Sequence, residues 1–138
     1  MRGGRSWRVL AVLAVLALAG QLYGLYRVAG PPTPSGFPQT DKLEHASGFA
    51  LPTALVLTAL VVRAQAQTPV RVLSGRTVVR VAAVFATHAV VSELVQHFFY
   101  TRRSGDPLDV VADWVGTALG VAVGLALRRR PVDAVRVA

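Results

Sequence analysis

The chain has 138 residues, of which 53% are hydrophobic and 16% charged, with a mean hydropathy of +0.48. A soluble domain of this size has too little interior for so much apolar surface, so the composition points to lipid as the solvent. With no cysteine, disulfides, thiol catalysis and Cys-ligated zinc are excluded, and the net charge of +8 reads as membrane orientation, with no nucleic-acid partner expected.

Four apolar runs follow one another, each about 20 residues, the length that crosses about 30 Å of hydrocarbon as a helix. They predict an all-α polytopic membrane protein forming one domain: four transmembrane helices over about 7–28, 41–62, 77–100 and 107–127, then a tail over 128–138. The first run follows Arg2, Arg5 and Arg8 and contains Ala17-Leu18-Ala19, the outline of a cleavable signal peptide. The apolar character continues to Val28, however, which favours a retained helix. Tyr23 and Tyr26 are then expected in an interfacial belt, and Gly20 and Gly24 at a close helix contact. The proline-bearing stretch over 30–40 is a loop. Thr40 or Asp41 is expected to cap the second helix, with Glu44 in a capping-box position. Residues 63–76 form a basic loop. Ser104-Gly105-Asp106-Pro107 is a turn in which Asp106 caps the fourth helix and Pro107 takes its first position.

Arginine and lysine divide unevenly between the loops. Arg2, Arg5, Arg8, Arg63, Arg71, Arg76, Arg80, Arg128, Arg129, Arg130 and Arg136 fall on one side, against Arg27, Lys42, Arg102 and Arg103 on the other. The positive-inside rule then places both termini in the cytoplasm. All the acids except Asp133 fall at or near the opposite, outer side.

With that orientation, polar residues from three helices come to one level. Asp41, Lys42 and His45 open the second helix, Glu93 and Gln96 sit in the outer half of the third, and Asp109 and Asp113 open the fourth. At 100° per residue, Asp109, Asp113, Gly116, Gly120 and Gly124 form one stripe of the fourth helix, so the aspartates share the packing face of a small-xxx-small pattern. A charge at depth in a membrane costs on the order of 3 kcal/mol, which argues for a paired or functional role for Glu93 and Asp113. Asp41 and Asp106 read first as caps, and His88 as a packing histidine.

These residues resemble the VanZ-like membrane proteins: Asp41-Lys42-x-x-His45 with Phe49, Glu93-x-x-Gln96, Arg103, Asp109, Asp113 and Gly116-x-x-x-Gly120, in that order over about 41–124. The resemblance implies a four-helix protein of the bacterial cell membrane, and the founding member's association with low-level teicoplanin resistance. It gives a membrane class rather than a reaction. Asp113 departs from the family pattern, which favours Asn there, and adds a negative charge.

The reading that follows is an outward-facing pocket of Asp41, Lys42, His45, Glu93, Gln96, Arg103, Asp109 and Asp113, binding an envelope component such as a cell-wall precursor, or a glycopeptide. Lys42 and Arg103 would hold a phosphate. The alternative is an intramembrane enzyme acting on lipid-linked or phosphate-bearing substrates, in which His45, Glu93, Asp109 and Asp113 offer a general base, an acid and carboxylates able to hold a divalent cation. A proton path ranks last, because the inner halves of the helices lack ionisable groups apart from Arg near their ends. No cofactor or metal is assigned. Membrane lipids are expected partners, and the glycine faces would also suit a homo-oligomer.

Overall fold

The computed structural model describes residues 3–27, 40–67, 72–101 and 105–128. These form four α-helices and no strand: α1 (Gly3–Tyr26), α2 (Thr40–Gln67), α3 (Gly75–Phe99) and α4 (Pro107–Arg128). Each is long and apolar enough to cross a membrane. The shortest, α4, has 22 residues and so spans about 33 Å.

The helices depart from the expected bounds where local chemistry decides. α2 runs five residues past Val62, through Arg63-Ala64-Gln65-Ala66-Gln67, all strong helix formers. α3 begins at Gly75 because Ser74 caps it, its hydroxyl accepting the Thr77 N–H at 3.2 Å. α2 already includes Thr40, so neither Thr40 nor Asp41 is the residue outside the helix. Glu44 lies within 3.5 Å of the Arg27 guanidinium, which joins the end of α1 to the start of α2. At α4 the expectation holds: Asp106 Oδ1 accepts the Leu108 N–H at 2.9 Å, and Pro107 opens the helix.

The bundle is antiparallel from helix to helix, and its two ends are tied differently. At one end Gln96 donates to the Leu25 carbonyl (3.0 Å) and Tyr100 to the Tyr26 carbonyl (2.7 Å), joining the end of α3 to the end of α1. At the other end the Arg8 and Arg63 guanidiniums lie 5.7 and 5.2 Å from the centre of the Trp7 ring, linking the start of α1 to the end of α2. Between them is a small apolar core of Leu25, Phe49, Phe85 and Ala89, with Phe49 and Phe85 edge to face at 6.3 Å.

α2 and α4 make the closest approach, along the glycine stripe. A Cβ at Gly116 would collide with the Ala46 carbonyl. One at Gly120 would lie 2.6 Å from Thr53 Cβ, and one at Gly124 2.7 Å from Leu57 Cβ. Gly20 and Gly24 behave otherwise: a Cβ at either would meet nothing within 4 Å. Instead of a tight helix contact, they line a cavity of about 400 Å³ between α1 and α2, together with Gln21, Gly48 and Pro52. The outer surface is apolar, with Val12, Val15, Leu16, Val79, Val84 and Leu119 exposed, while His45, Glu93, Gln96, Asp109 and Asp113 are buried. Apolar outside and polar inside is the arrangement a lipid solvent selects.

Candidate functional site

Three helix segments build the polar cluster. The first two turns of α2 bring Asp41, Lys42 and His45 to one level. The last two turns of α3 bring Ser92, Glu93 and Gln96, all buried. The first two turns of α4 bring Asp109 and Asp113. Because α2 and α4 both begin at this end and touch through glycine, the α4 carboxylates reach across to the α2 histidine and lysine.

His45 is the centre. Its ring is almost fully enclosed, with 4% of the side chain exposed. Nδ1 lies 3.0 Å from Asp113 Oδ1 and 4.0 Å from Glu93 Oε1. Nε2 lies 3.6 Å from Asp109 Oδ2 and 4.0 Å from Asp41 Oδ1. One imidazole therefore faces four carboxylates from three helices.

Lys42 closes the cluster toward the helix ends. Its ammonium donates to Asp109 Oδ1 in a very short contact, to Asp106 Oδ2 at 2.6 Å and to Asp41 Oδ2 at 3.4 Å. Asp106 lies outside the helices, and the Lys42 hydrogen bond holds its carboxyl below the ordinary carboxylate value, with the Leu108 N–H adding to the effect. Glu93 is oriented from the same turn, Oε2 accepting the Asp106 N–H at 2.9 Å. Glu93 Oε1 and Asp113 Oδ2 are buried without a hydrogen-bond partner among the described residues. Two overlapping sets of metal-type donors result, Asp41/His45/Asp109 and His45/Glu93/Asp113, each with its ligand atoms within 4.8 Å of one another.

No family model, curated protein or solved structure gives a significant match to the chain.

Of the residues singled out from sequence, Asp41, Lys42, His45, Glu93, Asp109 and Asp113 come together in this cluster. Gln96 lies one turn along α3 from Glu93, but its amide is spent on the Leu25 carbonyl, so it ties α1 to the cluster's wall. Arg103 lies outside the described residues. Gly116, Gly120 and Gly124 are the α4 contact with α2. His88 stands apart, its Nε2 3.3 Å from the Tyr26 hydroxyl and its ring 5.6 Å from that of Phe49, a packing histidine. Tyr26 therefore turns inward, while Tyr23 is 72% exposed as a belt residue would be.

Sequence reasoning missed two participants. Asp106 was assigned a capping role only, yet its other oxygen binds Lys42 and its backbone N–H binds Glu93. Gln21, deep in α1, is buried with both amide atoms unpartnered among the described residues, and it lines the α1/α2 cavity. A lone amide in an apolar helix was the available signal. The same cavity is bounded by Asp41 and His45, so the cluster has an approach from between α1 and α2.

Proposed function

We propose that this chain is an integral membrane protein of the bacterial cell envelope, similar to the VanZ-like proteins, whose polar cluster receives an envelope component or a glycopeptide. Both termini face the cytoplasm in this reading, and the cluster opens outward. The skewed distribution of arginine supports the orientation. Within the recognised pattern, Asp41-Lys42-x-x-His45, Glu93, Asp109 and Asp113 supply the pocket, and Gly116-x-x-x-Gly120 the contact that assembles it.

The observation that carries this reading is the concentration of His45, Lys42 and five carboxylates at one end of an otherwise apolar bundle. Charges placed at membrane depth destabilise insertion, and a bundle needing only to hold together would use apolar packing instead. Lys42 neutralises Asp106 and Asp109 at the helix ends, and a phosphate or carboxylate on a ligand would compete with them for its ammonium. The carboxylates around it accept hydroxyl or ammonium groups, the functional groups of cell-wall precursors and glycopeptides.

The test is expression in a glycopeptide-sensitive bacterium with alanine at Glu93 and, separately, at Asp109. The unmutated chain should shift teicoplanin susceptibility, and both variants, inserted to the same level, should lose the shift. If both insert normally and keep the phenotype unchanged, the cluster is not the working part.

A further inference from the structure

The cluster holds more buried negative charge than its two basic groups match. Glu93, Asp109 and Asp113 are all buried. Lys42 is committed to Asp106 and Asp109. That leaves His45 alone to answer Glu93 and Asp113, each of which retains a buried oxygen with no hydrogen-bond partner among the described residues. Leaving a buried carboxylate oxygen unsatisfied carries a desolvation penalty that a ligand can relieve.

We propose that His45, Glu93 and Asp113 form a site for a divalent first-row transition-metal ion, oriented by Asp109. Metal bonds of about 2.0–2.2 Å place neighbouring donor atoms about 3 Å apart. His45 Nδ1 and Asp113 Oδ1 are already 3.0 Å apart, Glu93 Oε1 stands 4.0 Å from the same nitrogen, and the donor atoms of the three residues lie within 4.8 Å of one another. The mixed imidazole and carboxylate set favours manganese or zinc over calcium or magnesium, which prefer oxygen alone.

The surroundings match what such a site requires. With Nδ1 on the metal, the ring carries its proton on Nε2, which faces Asp109 Oδ2 at 3.6 Å. A carboxylate behind a ligating histidine fixes its tautomer and orientation. Asp109 is itself held by Lys42, and Glu93 is held by the Asp106 N–H through the oxygen not offered to the metal. Three protein donors leave coordination positions open, and the α1/α2 cavity adjoins His45. An oxygen of whatever occupies the pocket would fill them, a step that rests on the pocket reading above, whereas the metal site does not.

The experiment is titration of the purified full chain, in lipid nanodiscs, with Mn²⁺ followed by electron paramagnetic resonance. Saturable binding with ¹⁴N hyperfine coupling from an imidazole is expected. His45→Ala, Glu93→Gln and Asp113→Asn should each weaken binding at least tenfold. Asp109→Asn should weaken it by about 10- to 100-fold through the orienting contact, and His97→Ala should leave it unchanged. Absence of saturable binding, or bound Mn²⁺ without nitrogen coupling, overturns the proposal. The second readout uses the unmutated chain, so it decides the matter even where a variant fails to fold. Infrared detection of a protonated carboxyl that persists under saturating Mn²⁺ and is removed by Glu93→Gln or Asp113→Asn would show that protons balance the charge, and would equally overturn it. A chain that binds Mn²⁺ but whose pocket variants keep the teicoplanin phenotype would retain the metal site and lose the pocket reading. The converse result separates them the other way.

Discussion

Lys42 reaches three carboxylates with one ammonium, and Asp109, the most buried of the three, depends on it most. Lys42→Met keeps the stem and removes the charge, leaving Asp109 without its cation. The expected loss is about 2 kcal/mol, the scale of a charged hydrogen bond, read as a lowered unfolding midpoint in detergent. The same variant raises the Asp106 pKa toward the ordinary carboxylate range, the Leu108 N–H still holding it down in part, and carboxyl-carbon NMR would detect the rise. The sign for pH follows from the depressed Asp106 value: its contribution is present above the ordinary carboxylate pKa and is lost as pH falls through the lowered one. Gln96→Leu, which deletes the bond to the Leu25 carbonyl, should cost about 1 kcal/mol in the same assay. At this scale the membership of the cluster was largely legible, because charges in apolar helices are rare enough to be noticed singly. Pairing was not legible. Whether Lys42 takes Asp106 and Asp109, and His45 takes Asp113, depends on how far each helix is rotated, and residue types do not encode that angle.

α4 meets α2 backbone to backbone, and the glycine spacing made that face visible beforehand. Identical spacing in α1 was misleading. Gly20 and Gly24 border open space, whereas Gly116 lies against the Ala46 backbone, which cannot yield. The two pairs should therefore respond oppositely. Gly116→Val should separate α2 from α4 and destabilise the bundle by roughly 3 kcal/mol or more, the upper end of overpacking costs. Gly20→Val or Gly24→Val should fold normally and narrow the α1/α2 cavity. Thermal unfolding of the three variants side by side makes the comparison, and a Gly116→Val chain as stable as its parent would contradict the contact. The motif alone could not make this distinction, because small-xxx-small describes what a helix permits while the partner's shape decides whether it is used. Element bounds failed for a related reason. Apolar length marks the part of α2 in hydrocarbon, but Ala, Gln and Arg extend the helix beyond it to Gln67.

For the whole molecule, the feature most open to measurement is which end of the bundle faces which compartment. The chain has no native cysteine, so single cysteines report without background. In intact cells, Thr101→Cys, beside the polar cluster, should react with a membrane-impermeant maleimide, and Val72→Cys, at the opposite end, only after permeabilisation. The reverse pattern would invert the proposed orientation and turn the pocket toward the cytoplasm. The contact of α2 with α4 also bears on how the protein comes into being. Synthesis proceeds from α1 to α4, so Lys42, His45 and Glu93 reach the bilayer before Asp109 and Asp113 do. Until α4 arrives, Lys42 and His45 lack their nearest carboxylates, Asp109 and Asp113, and α2 presents a groove with no helix in it. The nascent protein must therefore pass through a stage in which the residues of its polar cluster are its weakest point, and a chain ending before Pro107 should be cleared by membrane quality control while the full one accumulates.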